Sequence, residues 1–419
     1  MVLKKLSKKV VILVLVLMLV LSFVSCENAS NEETNNGSGE SEPVEIKIAY
    51  WANAAEQKHY EFVAEGIENE YPNIKVVLQQ YPTSEEFWTA IPTAIAAKNA
   101  PDVVILSDEG NLEFIANGSL APIDSLIEEV GFDKSIISDS LYKGWSYEDQ
   151  LYGVPVRAGT SMLSINKKMF EEAGIEKYPE TMDELLAAAK KLTTDEVYGI
   201  CASIHEFHIS QYVHAFGGDW NFGKTINSPE NIQGVQFFVD LYTKHGVAVT
   251  PKQIGASWDG EVFAKEKAAM STGGPWYMGY CKETNPDLEF IPLPIPKGTV
   301  ESQTAYSGGM AILSASEHKK EAMEFIKYAL REEASVSLYK NVGDAPSASA
   351  VMPAYLEENP ELKPVFENMQ KVGVPFAYPV DTKNFTAELV KGIEEIIYKP
   401  GSLTVEELLD NLQDQFGIE

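Results

Sequence analysis

The residues best equipped for chemistry in this chain are carboxylates and aromatics. Asp108 and Glu109 stand side by side directly after the apolar run "DVVIL". A carboxylate pair can serve a glycosidase as acid and nucleophile. Neighbours in sequence usually point apart, however, and no second carboxylate can be set opposite them from sequence. The end of a parallel strand is also where α/β sheets hold ligands without any chemistry. A secreted carbohydrate-active enzyme using Asp108 or Glu109 is therefore one alternative, and a binder of another small solute, such as a polyol phosphate or peptide, is the other.

Other reactive patterns fall away on inspection. His205, His208 and His214 lie within ten residues, but their spacing matches no usual zinc pattern and no tetrahedral set completes it. They read as polar surface or ligand-pocket residues, so no metal and no cofactor is expected. There is no G-x-S-x-G nucleophile motif. Gly218 to Thr225 fits G-x-x-x-x-G-K-T, yet a phosphate loop needs a strand before it, a helix after it and small residues within it. Here "SQYVHAFGG" reads as helical, "INSPEN" opens a turn, and Trp220 and Phe222 are bulky. Nucleotide binding is excluded on those grounds.

The aromatics remain. Trp51 follows an alternating run, Trp220 sits beside Gly217-Gly218, and Trp258 follows "IGAS". Trp276 stands in "STGGPWYMG", Tyr306 precedes Gly308-Gly309, and Tyr378 lies in "VPFAYPV". Glycine and proline mark turns, so these residues are expected on loops, with glycine letting a ligand come close. A flat aromatic face beside a carboxylate or Asn suits the apolar C–H face and hydroxyls of a sugar ring. Trp88 and Trp145 read as packing residues.

The elements that must position them are α/β. "EIKIAY" alternates as a strand, 54–69 reads as a helix with Phe62, Val63 and Ile67 on one side, and 74–78 is a second strand. A helix over 84–98, with a possible break at Pro92, leads through Pro101 to "DVVIL", a buried parallel strand. Strand–helix–strand–helix–strand in sixty residues means βαβ units. Thr181 and Glu184 form a capping box, and two further amphipathic helices follow later in the chain.

Composition narrows the partners. With 33 Lys+Arg against 62 Asp+Glu, the net charge of −29 leaves little surface for neutralising phosphates, so nucleic acid is not an expected partner. Four lysines, an apolar run over 10–21 and Ser25-Cys26 have the layout of a signal peptide over 1–25. "FVSC" resembles a bacterial lipobox, with Phe23 where Leu is usual, and makes Cys26 the lipidated residue. Residues 26–42 contain no large apolar side chain and read as a disordered tether. Cys201 and Cys281 read as buried thiols rather than a disulfide, since a chain this large needs no staple.

The chain also resembles the family 1 extracellular solute-binding proteins, the sugar-binding lipoprotein components of ABC importers, similar to maltose-binding proteins. The landmarks run in family order: "YPNIKVVLQQYP", "APDVVIL", "NGSLAPID", "LYGVPV", "INKKMFEEAGI", "YPETMDELLAAAKKLT", "FAKEKAAMSTGGPW" and "YSGGMAI". The resemblance covers roughly 44–412. It implies two α/β lobes of the periplasmic-binding-protein type with the ligand in a cleft between them. Lobe 1 would comprise 43–156 and 303–349, and lobe 2 would comprise 157–302 and 350–419. Trp276 matches the family's stacking aromatic. Ser107, Asp108 and Glu109 match its polar loop, and Arg157 its entry to lobe 2. Gly159 stands where maltose-binding relatives carry a ligand carboxylate. Glu206 and Phe207 fall on an acidic–aromatic group, while Trp51, Trp220, Trp258, Tyr306 and Tyr378 are further ligand-contact candidates. The implied protein is a non-enzymatic monomer, lipid-anchored outside the cytoplasm, that captures a carbohydrate, in the first place a neutral oligosaccharide, for an ABC permease.

Overall fold

Alternation in the sequence is realised as β1 (Val44–Trp51), where Ile46, Ile48 and Tyr50 are buried. The structure, a computed structural model, describes residues 43–418 except 53, 82 and 83, and only the backbone at 54, 55, 84, 85 and 88. The expected signal peptide, Cys26 and the tether lie outside the described residues.

The helix Ala54–Glu70 returns the chain to β2 (Ile74–Tyr81), parallel to β1. Its buried face is Tyr60, Val63, Ala64 and Ile67, whereas Phe62 is 41% exposed. The expectation for Phe62 was wrong because four-residue spacing puts Val63 and Ile67 on one stripe, while Phe62 is five residues from Ile67. The next helix, Ser84–Ala96, continues through Pro92 without ending there. It leads to β3 (Val103–Ser107), which pairs with β1 in parallel.

Beyond β3 the chain builds β4 (Val154–Thr160) and passes through Ser161 into β5 (Met162–Asn166), which belongs to a different sheet. That second sheet adds β6 (Ile200–Cys201), β7 (Ala248–Val249), β8 (Met270–Gly273) and β9 (Phe290–Leu293), in the order β9-β5-β8-β6-β7. The chain then returns to the first sheet with β10 (Gln303–Ile312), β11 (Ala345–Pro346) and β12 (Gly373–Val374). The first sheet runs β11-β4-β10-β3-β1-β2, with β12 beside β10. Long β10 is antiparallel to both β3 and β4, so the first sheet is mixed rather than wholly parallel.

Two hydrophobic cores largely follow the two sheets, although Phe263, Ala264, Tyr277 and Cys281 of the second half pack into the first core. One gathers Ile48, Val104, Leu106, Val154, Ile312 and Phe325; the other gathers Leu163, Ile165, Phe238, Met270, Phe385 and Leu409. Val351, Tyr355, Val365, Phe366 and Met369, set with the second lobe in the sequence reading, pack in the first core. The chain crosses between the cores at Ser161, again between β9 and β10, and again between β12 and the helix Thr382–Tyr398. The capping box at Thr181 and Glu184 forms as expected. Cys201 and Cys281 are both buried and unpaired.

Candidate functional site

A cleft of about 460 Å³ opens between the two halves, and the "STGGPWYMG" stretch contributes Trp276 to its lining. That stretch is not a loop. Its first three residues end β8, Gly274-Pro275 make the turn, and Trp276 is the first residue of the helix Trp276–Thr284. Nor do the glycines make room for a ligand. A Cβ at Gly274 would overlap the Trp276 indole, so glycine is what lets the ring fold back over its own backbone. The indole then lies 5.3 Å from the Phe207 ring and 6.3 Å from Tyr306, and remains 44% exposed at the cleft. A Cβ at Gly159 would likewise overlap the Tyr306 ring. Gly159 thus seats an aromatic.

Tyr277 turns the other way. It is fully buried, donates its hydroxyl hydrogen bond to Asp259 Oδ2, and lies 2.8 Å from Ser271 Oγ. Asp259 Oδ1 sits 3.5 Å from His208 Nε2, and His208 Nδ1 is 3.2 Å from Thr272 Oγ1. Burial by itself would raise the Asp259 pKa, but His208 and the Tyr277 hydroxyl outweigh it and hold it at about 2. Asp259 is therefore a fixed negative charge on the cleft wall. His205 and Phe207 line the same cleft. The His205 ring accepts the Phe207 N–H, capping the helix Glu206–Ala215 and seating Phe207.

The opposite wall comes from the turn after β3. Ser107 Oγ accepts the Glu109 N–H at 3.3 Å and shapes the turn. Glu109 faces the cleft; burial and then the charge of Glu206 raise its pKa to about 7. Asp108 turns beneath the loop instead. Its Oδ2 accepts from Ser307 Oγ at 3.0 Å, and that Oγ accepts from Trp145 Nε1 at 2.7 Å. Burial raises the Asp108 pKa well above the ordinary carboxylate range. Its Oδ1 is buried without a hydrogen-bond partner among the described residues. Asp108 and Glu109 are thus not presented together in this cleft, which Glu109 alone of the two lines.

Several other candidates stand elsewhere. Arg157 is committed to ion pairs with Glu56 at 2.8 Å and Asp344 at 2.9 Å, all within the first half, and those carboxylates together with Tyr60 overcome the cost of burying it. Trp220 is a core residue: fully buried, donating Nε1 to Ser210 Oγ at 2.9 Å and edge-on to Phe385. Its neighbouring glycines signalled a tight chain reversal, not a platform. Trp51 ends β1 and packs against Phe87 at 4.9 Å, away from the cleft lining. Tyr378 is buried, bonded to Ser210 Oγ and stacked on Phe376 at 5.3 Å. Trp258 does line the cleft, edge-on to Tyr277 and Tyr280.

Sequence reasoning missed Asp259, Phe376 and Ser307. Asp259 follows Trp258 and Phe376 lies two residues before Tyr378, so proximity to a named aromatic was the available signal. The phosphate-loop match fails as expected. It follows a helix, contains the single turn Asn221–Gly223 and buries Trp220.

Comparison with known proteins agrees with this arrangement. A maltotriose-binding protein of Pyrococcus abyssi is 27% identical over 402 residues, covering 92% of this chain and 83% of the relative. An arabinooligosaccharide-binding protein of Halalkalibacterium halodurans is 26% identical over 69% of each chain. An ABC substrate-binding protein of Listeria monocytogenes, solved in complex with cycloalternan, superposes with a TM-score of 0.75 at 23% identity, over 90% of this chain and 98% of that one. The sugar-binding protein MalE of Xanthomonas citri superposes with a TM-score of 0.76 at 20% identity, over 88% and 96%. These structures establish the two-lobed binding-protein fold. Residues 49–336 match the bacterial extracellular solute-binding proteins as a family, and the chain belongs to that family.

Proposed function

We propose that this protein captures a carbohydrate, in the first place a neutral oligosaccharide, in the cleft between its two halves and delivers it to an ABC permease without altering it. The observation that carries the reading is the half-exposed Trp276 indole, held over Gly274 on one wall, with Glu109 on the facing wall. The indole offers an apolar ring face, and Glu109, Asp259 and His205 offer hydroxyl partners around it. The relatives that bind maltotriose and arabinooligosaccharides support the same ligand class. Binding rather than catalysis is favoured because Asp108 is tied to Ser307 beneath the turn while Glu109 faces the cleft.

The two sheets support lobes of about 43–160 with 303–373, and 162–302 with 376–418. They would close by a hinge at the three crossings. We further assign residues 1–25 as a signal peptide and Cys26 as the lipid-bearing residue. The lobes would then be held outside the cytoplasm on a short polar tether, as a monomer.

A thermal-shift screen over neutral mono- and oligosaccharides tests the ligand class. Ligand at a hundred times its Kd stabilises by about 2.7 kcal/mol, so one structural class should raise the melting temperature and be recovered intact. A screen in which no carbohydrate shifts melting, or in which the hit is cleaved, overturns the reading.

A further inference from the structure

The ionisable groups lining the Trp276 cleft, apart from tyrosine, are Glu109, Asp259, His205 and His208, with no lysine or arginine among its lining residues. Glu206 comes between His205 and Phe207 in the chain, and both of those neighbours line the cleft.

The histidines do not offset the carboxylates. His208 Nε2 lies 3.5 Å from Asp259 Oδ1, so a proton on that ring is matched by Asp259. His205 brings no charge. Its Nδ1 accepts the Phe207 N–H at 3.2 Å, and an imidazolium has no nitrogen free to accept. Burial also lowers its pKa. The 3.4 Å contact between that nitrogen and Glu206 Oε2 is therefore not an ion pair.

Glu109 and Glu206 are left. Among the described residues, neither forms an ion pair with a lysine or arginine. Cations on neighbouring elements are already matched. Arg157, on the strand β4 whose Gly159 seats Tyr306, is held by two carboxylates, Glu56 and Asp344. Lys265 is paired with Glu261, whose other oxygen accepts from the N–H and hydroxyl of Ser257. The positive end of the helix Glu206–Ala215 is met by Glu206 in its first turn and by the His205 cap. The cleft thus sets two carboxylates without a counter-charge beside the half-exposed Trp276 ring. Like charge set against like charge rejects a ligand strongly, the more so where the wall is partly dry.

We propose that Glu109 and Glu206 form a charge filter: the cleft admits sugars that are neutral or carry an amine, and rejects acidic ones such as uronates and sugar or polyol phosphates. This rests on the carbohydrate reading above. The filter belongs to the Trp276 cleft and adds no second site. Trp276 offers the ring face that any sugar can use, and the two carboxylates discriminate by charge.

Calorimetric titration at pH 8 separates charge from shape. Maltotriose, mannotriose and arabinotriose are each compared with three derivatives altered at the primary alcohols: the carboxylate, its near-isosteric carboxamide and the amine. In the series that binds, the carboxylate should bind about tenfold or more weakly than the carboxamide, and the amine at least as tightly as the carboxamide. Glu109→Gln combined with Glu206→Gln should bring carboxylate and carboxamide within about threefold of each other. Equal affinities for those two in wild type, or an unchanged gap in the folded double variant, overturns the filter. A ligand-free measurement decides where the substituents themselves prevent binding. Trp276 fluorescence, taken as the difference from Trp276→Phe, is quenched with iodide and with caesium, each scaled to N-acetyltryptophanamide. Caesium should quench about twofold or more better than iodide, and the double variant should lose most of that preference. Equal quenching by the two ions in wild type, or a preference that survives in the double variant, overturns the proposal. If no sugar binds but the caesium preference holds and depends on the two carboxylates, the carbohydrate reading fails and the filter stands.

Discussion

Glu109 offers a stringent test of the cleft, because its pKa of about 7 against an ordinary 4.5 makes the ionised form a burden on the folded protein. The folded state binds this proton more tightly than the unfolded chain does. The stability it carries is therefore complete below pH 4.5 and is lost as pH rises through about 7. At 1.36 kcal/mol per tenfold the span corresponds to roughly 3 kcal/mol, or about 2 kcal/mol once partial exposure is allowed for. Glu109→Gln removes the titration while keeping the shape. At pH 8 the ligand-free variant should be more stable than wild type by about 2 kcal/mol, a rise of about 2–4 °C in melting temperature for a chain of this size. At pH 4.5 the two should melt together. Comparing the pair cancels His59 and His214, which burial holds at about 4 and about 3 and which push the other way as pH falls. Ligand affinity should move oppositely. Losing a charged acceptor costs about 1.5–3 kcal/mol, or about 10- to 150-fold in Kd. A variant equal to wild type at both pH values would falsify the account of a desolvated carboxylate. A variant that gains stability but binds as wild type would show that Glu109 faces the cleft without touching the ligand.

Three further outcomes follow from the same geometry. Trp276→Ala should weaken ligand binding by about 5- to 150-fold, with base–aromatic stacking of about 1–3 kcal/mol as the guide. It should shift ligand-free melting little, because the indole is already 44% exposed; early unfolding with normal affinity would make it a packing residue. Asp259, with a folded pKa of about 2, contributes stability above pH 3.8 that is lost as pH falls through 2. Asp259→Asn should therefore cost about 2–3 kcal/mol at pH 7 and little near pH 2, and a cost independent of pH would contradict the charge argument. Intact-mass analysis of the mature protein from its native membrane should find a diacylglyceryl Cys26 at the N-terminus; an unmodified thiol or cleavage elsewhere removes the lipid anchor.

Much of the fold was legible because it rests on local rules. Strand alternation in "EIKIAY", the capping box at Thr181 and the apolar "DVVIL" each specify an element within a few residues. Stripe assignment was less secure, as Phe62 shows, because a one-residue shift turns a helical side chain by about 100°. At the candidate site the sequence named residue types more readily than their surroundings. Glycine beside an aromatic marks a close approach, but the sequence cannot say what approaches. At Trp276 it is the indole itself, and at Tyr306 the glycine is more than a hundred residues away, at Gly159. Trp220 had the same local signature and proved to be core, since its burial depends on Ser210 and Phe385. The Asp259–His208–Thr272 contacts join three separate elements, and no local pattern encodes them.

The carboxylates give the cleft a logic beyond contact. Glu109 belongs to the first half and Glu206 to the second, and their mutual repulsion together with burial raises the Glu109 pKa. Separating the halves would return water to Glu109 and remove that repulsion, so at neutral pH the empty cleft is biased towards opening. A ligand hydroxyl donated to Glu109 favours the ionised form and reverses the bias. On the proposed reading, ligand would do two things at once: stack on Trp276 and relieve the charge that resists closure. Closure should then be coupled to occupancy most strongly above pH 7 and least near pH 5, where a protonated Glu109 lets the halves meet without a ligand. X-ray scattering across that range, with and without the sugar found in the screen, reads this directly. An empty protein equally compact at pH 5 and pH 8 would show that the two carboxylates do not govern the hinge.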